Sequence, residues 1–491
     1  MDRDLQSIQE VRDLIAGVMT AREALLGFPQ ERLDAVCAAV AEEGAANARR
    51  LAELAVRETG FGRVEDKVLK NLLGSATTWE YYKDARVVGI LREDTAAGTM
   101  EIGVPVGIVA ALIPSTNPTS TTLYKAILCL KAGCPVIFSP HPGAKGAILE
   151  TVDLIQTAAV RAGAPEGAVQ GIRLTTREAT DALLTHREVG MILATGGEAM
   201  VRAAYRSGNP AIGVGAGNGP AFIARSADVP AAVRHIMESK TFDNGTICAS
   251  EQSIVTEQCV AEEVEAELRR QGGYFLSAEE SGKLAALLLR ADGSMNPRTV
   301  GKPAAEIAAM AGFPVAAGTQ VLLSRQESVG PENPYAREKL CPVLGYYVEE
   351  HWEAACARCV ALLRNEGAGH TMVIHARDEA VVRAFALQKP VSRLLVNTPA
   401  ALGGVGATTG LPPALTLGCG AVGGSATSDN VGPRHLTNIR RVAYGRRELR
   451  ELRAAGETDG AETAPQRQTL PFTAEEIAAA TRRVLERLGV C

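Results

Sequence analysis

Apolar positions recur at helical spacing from the start of the chain. Ile8, Val11, Ile15 and Val18 share one face, and Leu33, Val36 and Val40 share another, so residues 5–83 read as helices. The pattern breaks at 86–105. An apolar run at 87–91, a polar stretch at 92–98 and an apolar return at 100–104 predict a hairpin or arm. From 106 onward, apolar runs of strand length alternate with helical segments. Strands are expected at 106–113, 135–139, 168–174 and 189–194, and helices at 119–132, 145–162, 176–186 and 198–207. Strand–helix units of this size build a parallel α/β sheet whose strands are covered on both faces. After about 220 a second α/β region begins, with helices at 229–240, 260–271, 351–365 and 377–388 and strands at 252–256, 343–348, 371–375 and 393–397. Residues 403–424 are glycine-rich. Residues 455–471 form a polar linker without an apolar period. Beyond it, Ile477, Thr481, Val484, Leu485 and Leu488 make one narrow stripe flanked by Arg482, Arg483, Glu486 and Arg487, and Thr473 with Glu476 reads as a capping box. Residues 472–491 are therefore an isolated amphipathic helix, too short and weakly apolar for a membrane surface.

Composition narrows the class without changing the elements. The 491 residues are 46% hydrophobic and 22% charged, enough for two or three globular domains. A net charge of −5 with no basic stripe argues against nucleic acid. No apolar run reaches the roughly 18–20 residues of a membrane span, and the charged N-terminus has no signal-peptide core. The ten cysteines are scattered, as expected of reduced cytosolic thiols. Cys356 and Cys359 form a single Cys-x-x-Cys without a second pair, so no metal site is expected.

Three glycine-rich stretches invite a dinucleotide reading. Gly418-Cys419-Gly420-Ala421-Val422-Gly423 matches Gly-x-Gly-x-x-Gly in letters, but prolines precede it and no helix follows, so it reads as a bent loop. The run Gly213-Val214-Gly215-Ala216-Gly217-Asn218-Gly219 leads back into a strand. Ala194-Thr195-Gly196-Gly197 differs, because it ends a strand and opens a helix, where a diphosphate would meet free amides and the positive helix end. Cys248, in Gly245-Thr246-Ile247-Cys248, is either a small buried thiol or a nucleophile on a turn leaving a helix.

Taken in order, Pro114-Ser115-Thr116-Asn117-Pro118, Pro140-His141-Pro142-Gly143-Ala144-Lys145, the Thr195 turn, the Gly213 run, the Cys248 segment, Glu338-Lys339-Leu340-Cys341-Pro342 and the stretch 418–442 resemble the aldehyde dehydrogenase superfamily over roughly residues 5–450. Thr416-Leu417-Gly418-Cys419-Gly420 and Asp429-Asn430-Val431-Gly432-Pro433-Arg434-His435 are especially similar to the CoA-acylating acetaldehyde and propionaldehyde dehydrogenases. The resemblance implies an α/β fold with a Rossmann-like NAD-binding domain at 1–85 and 104–220 and a catalytic domain at 221–415. It also implies an oligomerisation arm at 86–103 and 416–454, then the 455–471 linker and a C-terminal tail helix at 472–491. It implies Cys248 as nucleophile and Asn117 as oxyanion donor. Pro114, Ser115, Thr116, His141, Pro142, Thr195, Gly196, Gly197, Gly215 and Glu338 would then hold NAD, with Glu338 orienting the nicotinamide ribose.

Two departures from the hydrolytic branch carry information. Those relatives place a general base in Glu-Leu-Gly-Gly-Lys-Ser-Pro, and alignment on Pro220 puts Val214 there. Valine cannot accept a proton, so the thioester would wait for the thiol of coenzyme A. His141 stands where hydrolytic relatives have a lysine, which leaves NAD or NADP open. The expected activity is oxidation of a short aldehyde, acetaldehyde or propionaldehyde, to acyl-CoA by a homodimer or homotetramer. The tail resembles encapsulation peptides, which implies a microcompartment shell partner and a cytoplasmic location inside the compartment. The alternatives are a hydrolytic enzyme using another base and a weakly active cargo or scaffold protein.

Overall fold

The computed structural model describes residues 2–458, with 475 and 479 beyond them. Two compact units divide the chain, Met1–Leu91 with Ile102–Arg440, and Arg92–Glu101 with the chain from Arg441. The helical start runs as Arg3–Leu26, Gln30–Ala46, Ala48–Thr59 and Val64–Leu72. A π-helical turn, Leu73–Thr77, then leads into Thr78–Tyr82. Such turns are rare and gather near functional sites. Among the described residues, fifteen strands follow in three sheets. β1 (Gly89–Asp94) and β2 (Thr99–Pro105) form the expected hairpin. A five-stranded parallel sheet holds β3 (Ile108–Ile113), β4 (Val136–Pro140), β5 (Val169–Gly171), β6 (Val189–Thr195) and β7 (Ala211–Val214), in the order β5-β4-β3-β6-β7. A seven-stranded parallel sheet holds β8 (Gly219–Ile223), β9 (Glu251–Glu257), β10 (Gly273–Phe275), β11 (Val321–Arg325), β12 (Val343–Glu349), β13 (Gly369–His375) and β14 (Val391–Val396), in the order β10-β11-β12-β9-β8-β13-β14. β15 (Thr437–Ala443) joins β2 to make the three-stranded sheet β1-β2-β15.

The alternation of side chains explains why the strands carry apolar runs. All six residues of β3 are buried. Ile108, Ala110 and Leu112 pack with Val11, Ile15 and Val18 of the first helix, and Val109, Ala111 and Ile113 pack with Leu123, Ile127 and Val40 on the other face. The seven-stranded sheet does the same. Ala221, Ile223, Ile254 and Val373 meet Val233 and Ile236, while Phe222, Val255, Met372 and Ile374 meet Cys359, Leu362 and Leu363. Each Val, Leu, Ile, Phe or Met among them, fully withdrawn from water, contributes about 1.5–3 kcal/mol.

Three expected boundaries are corrected. Gly219 and Pro220 belong to β8 and so to the second sheet, not to the NAD-binding segment. Residues 416–436 are not arm, because Leu417, Val431 and Leu436 are buried in the cluster around β3 and Tyr124 donates its hydroxyl to the Val431 carbonyl. Residues 455–458, read as linker, complete the helix Leu449–Thr458. The rest of the linker and the tail helix lie outside the described residues. In the second unit, Arg441 pairs with Glu101 and the Tyr444 amide donates to Gly98 O.

Candidate active site

Chain order fixes where the first sheet can bind a ligand. The chain runs outward from β3 through β4 to β5, then returns to lay β6 on the other side of β3, with Leu112 opposite Ala194. At this switch point the loops leaving β3 and β6 diverge and open a crevice. A cavity of about 530 Å³ lies there. Pro114, Ser115, Thr116 and Asn117 follow β3, His141 follows β4, and Thr195, Gly196 and Gly197 follow β6; all line it, as do Gly215, Cys248 and Glu338. Pro142 does not line it and begins the short 3-10 turn Pro142–Ala144, whose cap is His141, with Nδ1 accepting from the Gly143 amide. Gly197 caps the helix Glu198–Arg206, and a Cβ on Gly197 or Gly215 would meet nothing within 4 Å. The helix start therefore opens on unfilled space with its amides forward, which suits a dinucleotide diphosphate.

Cys248 sits where a chain reversal demands unusual backbone. After the helix Val229–Thr241, Asp243 and Asn244 adopt φ of 50° and 52° and Gly245 a φ of 77°. Left-handed backbone is unfavourable for non-glycine residues, so local bonds must hold it. Asp243 accepts from the Arg63 amide at 2.7 Å, its own amide donates to Asp66 at 2.8 Å, and Asn244 Nδ2 donates to Gly301 O at 2.9 Å. At Gly245 a side chain would press on the Cys341 backbone at 3.1 Å, and at Gly217 a Cβ would come within 2.0 Å of Cys248 O. Both glycines of the sequence motifs thus serve the same turn. Burial, then the charges of Glu338 and Cys419, push the half-buried Cys248 thiol up to about 12, against the opposing pull of Arg393.

Asn117 precedes the helix Pro118–Lys131 with φ −135° and ψ 56°. Its Nδ2 donates to Thr246 O at 3.3 Å, on the cysteine's own turn, and to Thr116 Oγ1 at 3.2 Å. Its Oδ1 accepts from Lys70 Nζ at 2.7 Å. Glu338 Oε1 accepts from the Gly217 amide at 2.7 Å, and burial lifts its carboxyl to about 8. Val214, the last residue of β7, lines the same cavity and is buried.

Residues 8–272 match the model of the aldehyde dehydrogenase family. The chain belongs to the aldehyde dehydrogenase family. It is 41% identical over 442 residues to the bifunctional aldehyde-alcohol dehydrogenase of Escherichia coli K12, covering 89% of this chain and 50% of that one. The chain thus spans about half the length of that relative. It is 35% identical to the succinate-semialdehyde dehydrogenase (acetylating) of Clostridium kluyveri, covering 90% of this chain and 97% of that one. Among solved structures, a probable aldehyde dehydrogenase from Listeria monocytogenes superimposes with a TM-score of 0.91 at 54% identity, over 92% of this chain and 100% of that one. A propionaldehyde dehydrogenase from the Clostridium phytofermentans fucose utilisation bacterial microcompartment gives 0.80 at 26%, over 88% and 97%. A Rhodopseudomonas palustris propionaldehyde dehydrogenase with bound CoA and an acylated cysteine gives 0.79 at 25%, over 88% and 97%.

Motif reading did not single out four buried polar residues that stand outside the cavity lining. His370, on β13, is buried and Nε2 has no partner; desolvation, reinforced by Arg393, holds it neutral with a pKa of about 3. Its ring lies against Gly217, which in turn touches Cys248 O. Arg393 on β14 is also buried and bonds to neutral acceptors, Thr371 Oγ1, Ser428 O, Asn430 Oδ1, His370 O and Gly418 O. Lys67 and Lys70 come from the first and second turns of the helix Val64–Leu72, which carries no motif at all. Nothing local marks these four, since other polar residues share each of their elements and none stands at motif spacing.

Proposed function

We propose that this aldehyde dehydrogenase oxidises a short, uncharged aldehyde with NAD and transfers the acyl group to coenzyme A. Val214 carries the reading. It lines the cavity and aligns with the general base of the hydrolytic enzymes that the chain resembles, and an isopropyl group cannot activate water. The acetylating Clostridium kluyveri relative and the CoA-bound, cysteine-acylated propionaldehyde dehydrogenase support it. In this mechanism Cys248 attacks the aldehyde carbon and gives a thiohemiacetal. The Asn117 amide and the Cys248 backbone N–H hold the developing oxyanion, each donor typically worth about 3–4 kcal/mol. The Thr195–Gly197 turn and Glu338 would hold NAD, which would supply the hydride acceptor. The thioester on Cys248 then stays until the CoA thiol displaces it. Ile247, Val405, Leu415 and Leu417 make an aliphatic wall beside the nucleophile, suited to an acetyl or propionyl group. His141 borders the cavity, so the cofactor reading extends to that position.

CoA dependence is the deciding experiment. With aldehyde and NAD but no CoA, NADH should appear as a burst of about one equivalent per active site, followed by a slow phase. Addition of CoA should restore steady turnover. Carboxylate production without CoA, at the rate of the CoA reaction, would overturn the acylating reading in favour of hydrolysis. Absence of any burst, with turnover negligible under both conditions, would favour the cargo or scaffold alternative.

We further propose that residues 472–491 tether the enzyme to a microcompartment shell. The apolar stripe Ile477, Val484 and Leu488 motivates this, together with the relative that comes from such a compartment. Fused to a fluorescent protein, this segment should co-localise with shells in a host that makes them, and Ile477→Glu, Val484→Glu and Leu488→Glu together should abolish it. Diffuse fluorescence from the unmodified fusion would end the proposal.

A further inference from the structure

Two lysines of the helix Val64–Leu72 point inward beside the nucleophile turn. Lys67 and Lys70 are each 2% exposed. Buried ammonium groups are costly unless paired, yet these two share a single carboxylate oxygen, Asp243 Oδ2, at 2.8 and 2.5 Å. The bonds that each lysine makes beyond Asp243 differ. Lys67 donates to Thr116 O at 3.0 Å, a backbone contact. Lys70 donates to Thr246 Oγ1 at 2.8 Å and to Asn117 Oδ1 at 2.7 Å, so all three of its ammonium hydrogens are placed.

A primary amide has an accepting and a donating end, and only the donating end stabilises an oxyanion. An ammonium on Oδ1 decides between them. In the observed orientation Oδ1 meets the cation and Nδ2 faces Thr246 O and Thr116 Oγ1. In the flipped orientation NH₂ would meet NH₃⁺, two donors with no acceptor. The charge-assisted bond also draws electron density from the amide oxygen and makes Nδ2 a stronger donor, as coupled hydrogen bonds polarise one another. The same ammonium grips Thr246, two residues before Cys248, so it ties the oxyanion donor to the nucleophile turn.

We propose that Lys70 is a positioning residue for the oxyanion site, setting through Asn117 Oδ1 which end of the amide meets the substrate oxygen and how strongly it donates. The proposal rests on the reading of Asn117 as oxyanion donor. Asp243 is the counter-ion that keeps the ammonium in place, held in turn by the Arg63 amide and Lys67. None of these groups is within the Gly-rich cofactor turns, so loss of Lys70 should act on kcat rather than on cofactor affinity.

A double-mutant cycle on the full-length enzyme separates the two readings. Lys70→Met should lower kcat for NADH formation by about tenfold or more while KM for NAD changes less than about twofold. In an Asn117→Ala background the same substitution should lower kcat by less than about twofold, because the amide it acts through is gone. Equal fold losses in both backgrounds would overturn the positioning role while leaving the oxyanion reading intact. A normal kcat for Asn117→Ala alone would instead refute the oxyanion reading, and with it any action of Lys70 through it. Should Lys70→Met not give soluble protein, Lys70→Gln, which keeps a neutral donor toward Asp243, replaces it in the cycle. Failure of both to fold would mark Lys70 as structural and end the proposal.

Discussion

Replacing Cys248 by serine is expected to abolish NADH formation, to below about 10⁻³ of the parent rate, while the protein remains folded. The environment already disfavours the anion. Burial and the Glu338 charge push the thiol up to about 12, and a hydroxyl in the same place would ionise far less. The thiohemiacetal and the thioester both require sulfur as the bonded atom, and an ester on serine would also be a poorer acyl donor to CoA. The fold should tolerate the change, since the turn is held by Asp243, Asn244 and Gly245 rather than by the thiol. The measurement is NADH absorbance with aldehyde, NAD and CoA, beside a thermal unfolding curve. Activity within tenfold of the parent would remove Cys248 from the nucleophile role.

Asn117→Ala is expected to lower kcat by about 10²–10³. The backbone N–H of Cys248 would be left as the remaining named donor. Lys70 would keep Asp243 and Thr246 as partners, so the variant leaves no charge unpaired and should fold. The loss should appear in kcat with CoA saturating, and in the rate of the NADH burst without it, since both report the step in which the oxyanion collapses. An effect confined to KM for the cofactor would make Asn117 a binding or turn residue.

Much of this site was readable from one sequence, and the reason is local. Gly245 and Gly217 are glycine because backbone passes within a Cβ radius of Cys341 and of Cys248, and Thr195-Gly196-Gly197 is a strand-to-helix turn whose chemistry is contained in three residues. Such constraints act over a few positions and so leave motifs. Val214 was singled out differently, by alignment on Pro220 with the hydrolytic enzymes that the chain resembles. The three- to five-residue strands β7, β10 and β11 were not anticipated. Elements this short show too few residues for a period of two to emerge, and β7 lies in a glycine run.

The alternation of apolar runs with helices determined the α/β class and both parallel regions, because a strand covered on two faces must be apolar along its length. Only the tertiary structure decided which sheet each segment joins. Gly219 and Pro220 go to the second sheet because β8 pairs with β9 and β13, and residues 416–436 enter the core because Leu417, Val431 and Leu436 fill the space around β3. It also decided the charges behind the site. Lys70 reaches Asn117 across 47 positions and Asp243 across 173, and Arg393 reaches His370 across 23. A buried ion needs partners in space, not in sequence, so its residue type shows where charge exists while only packing shows what that charge holds.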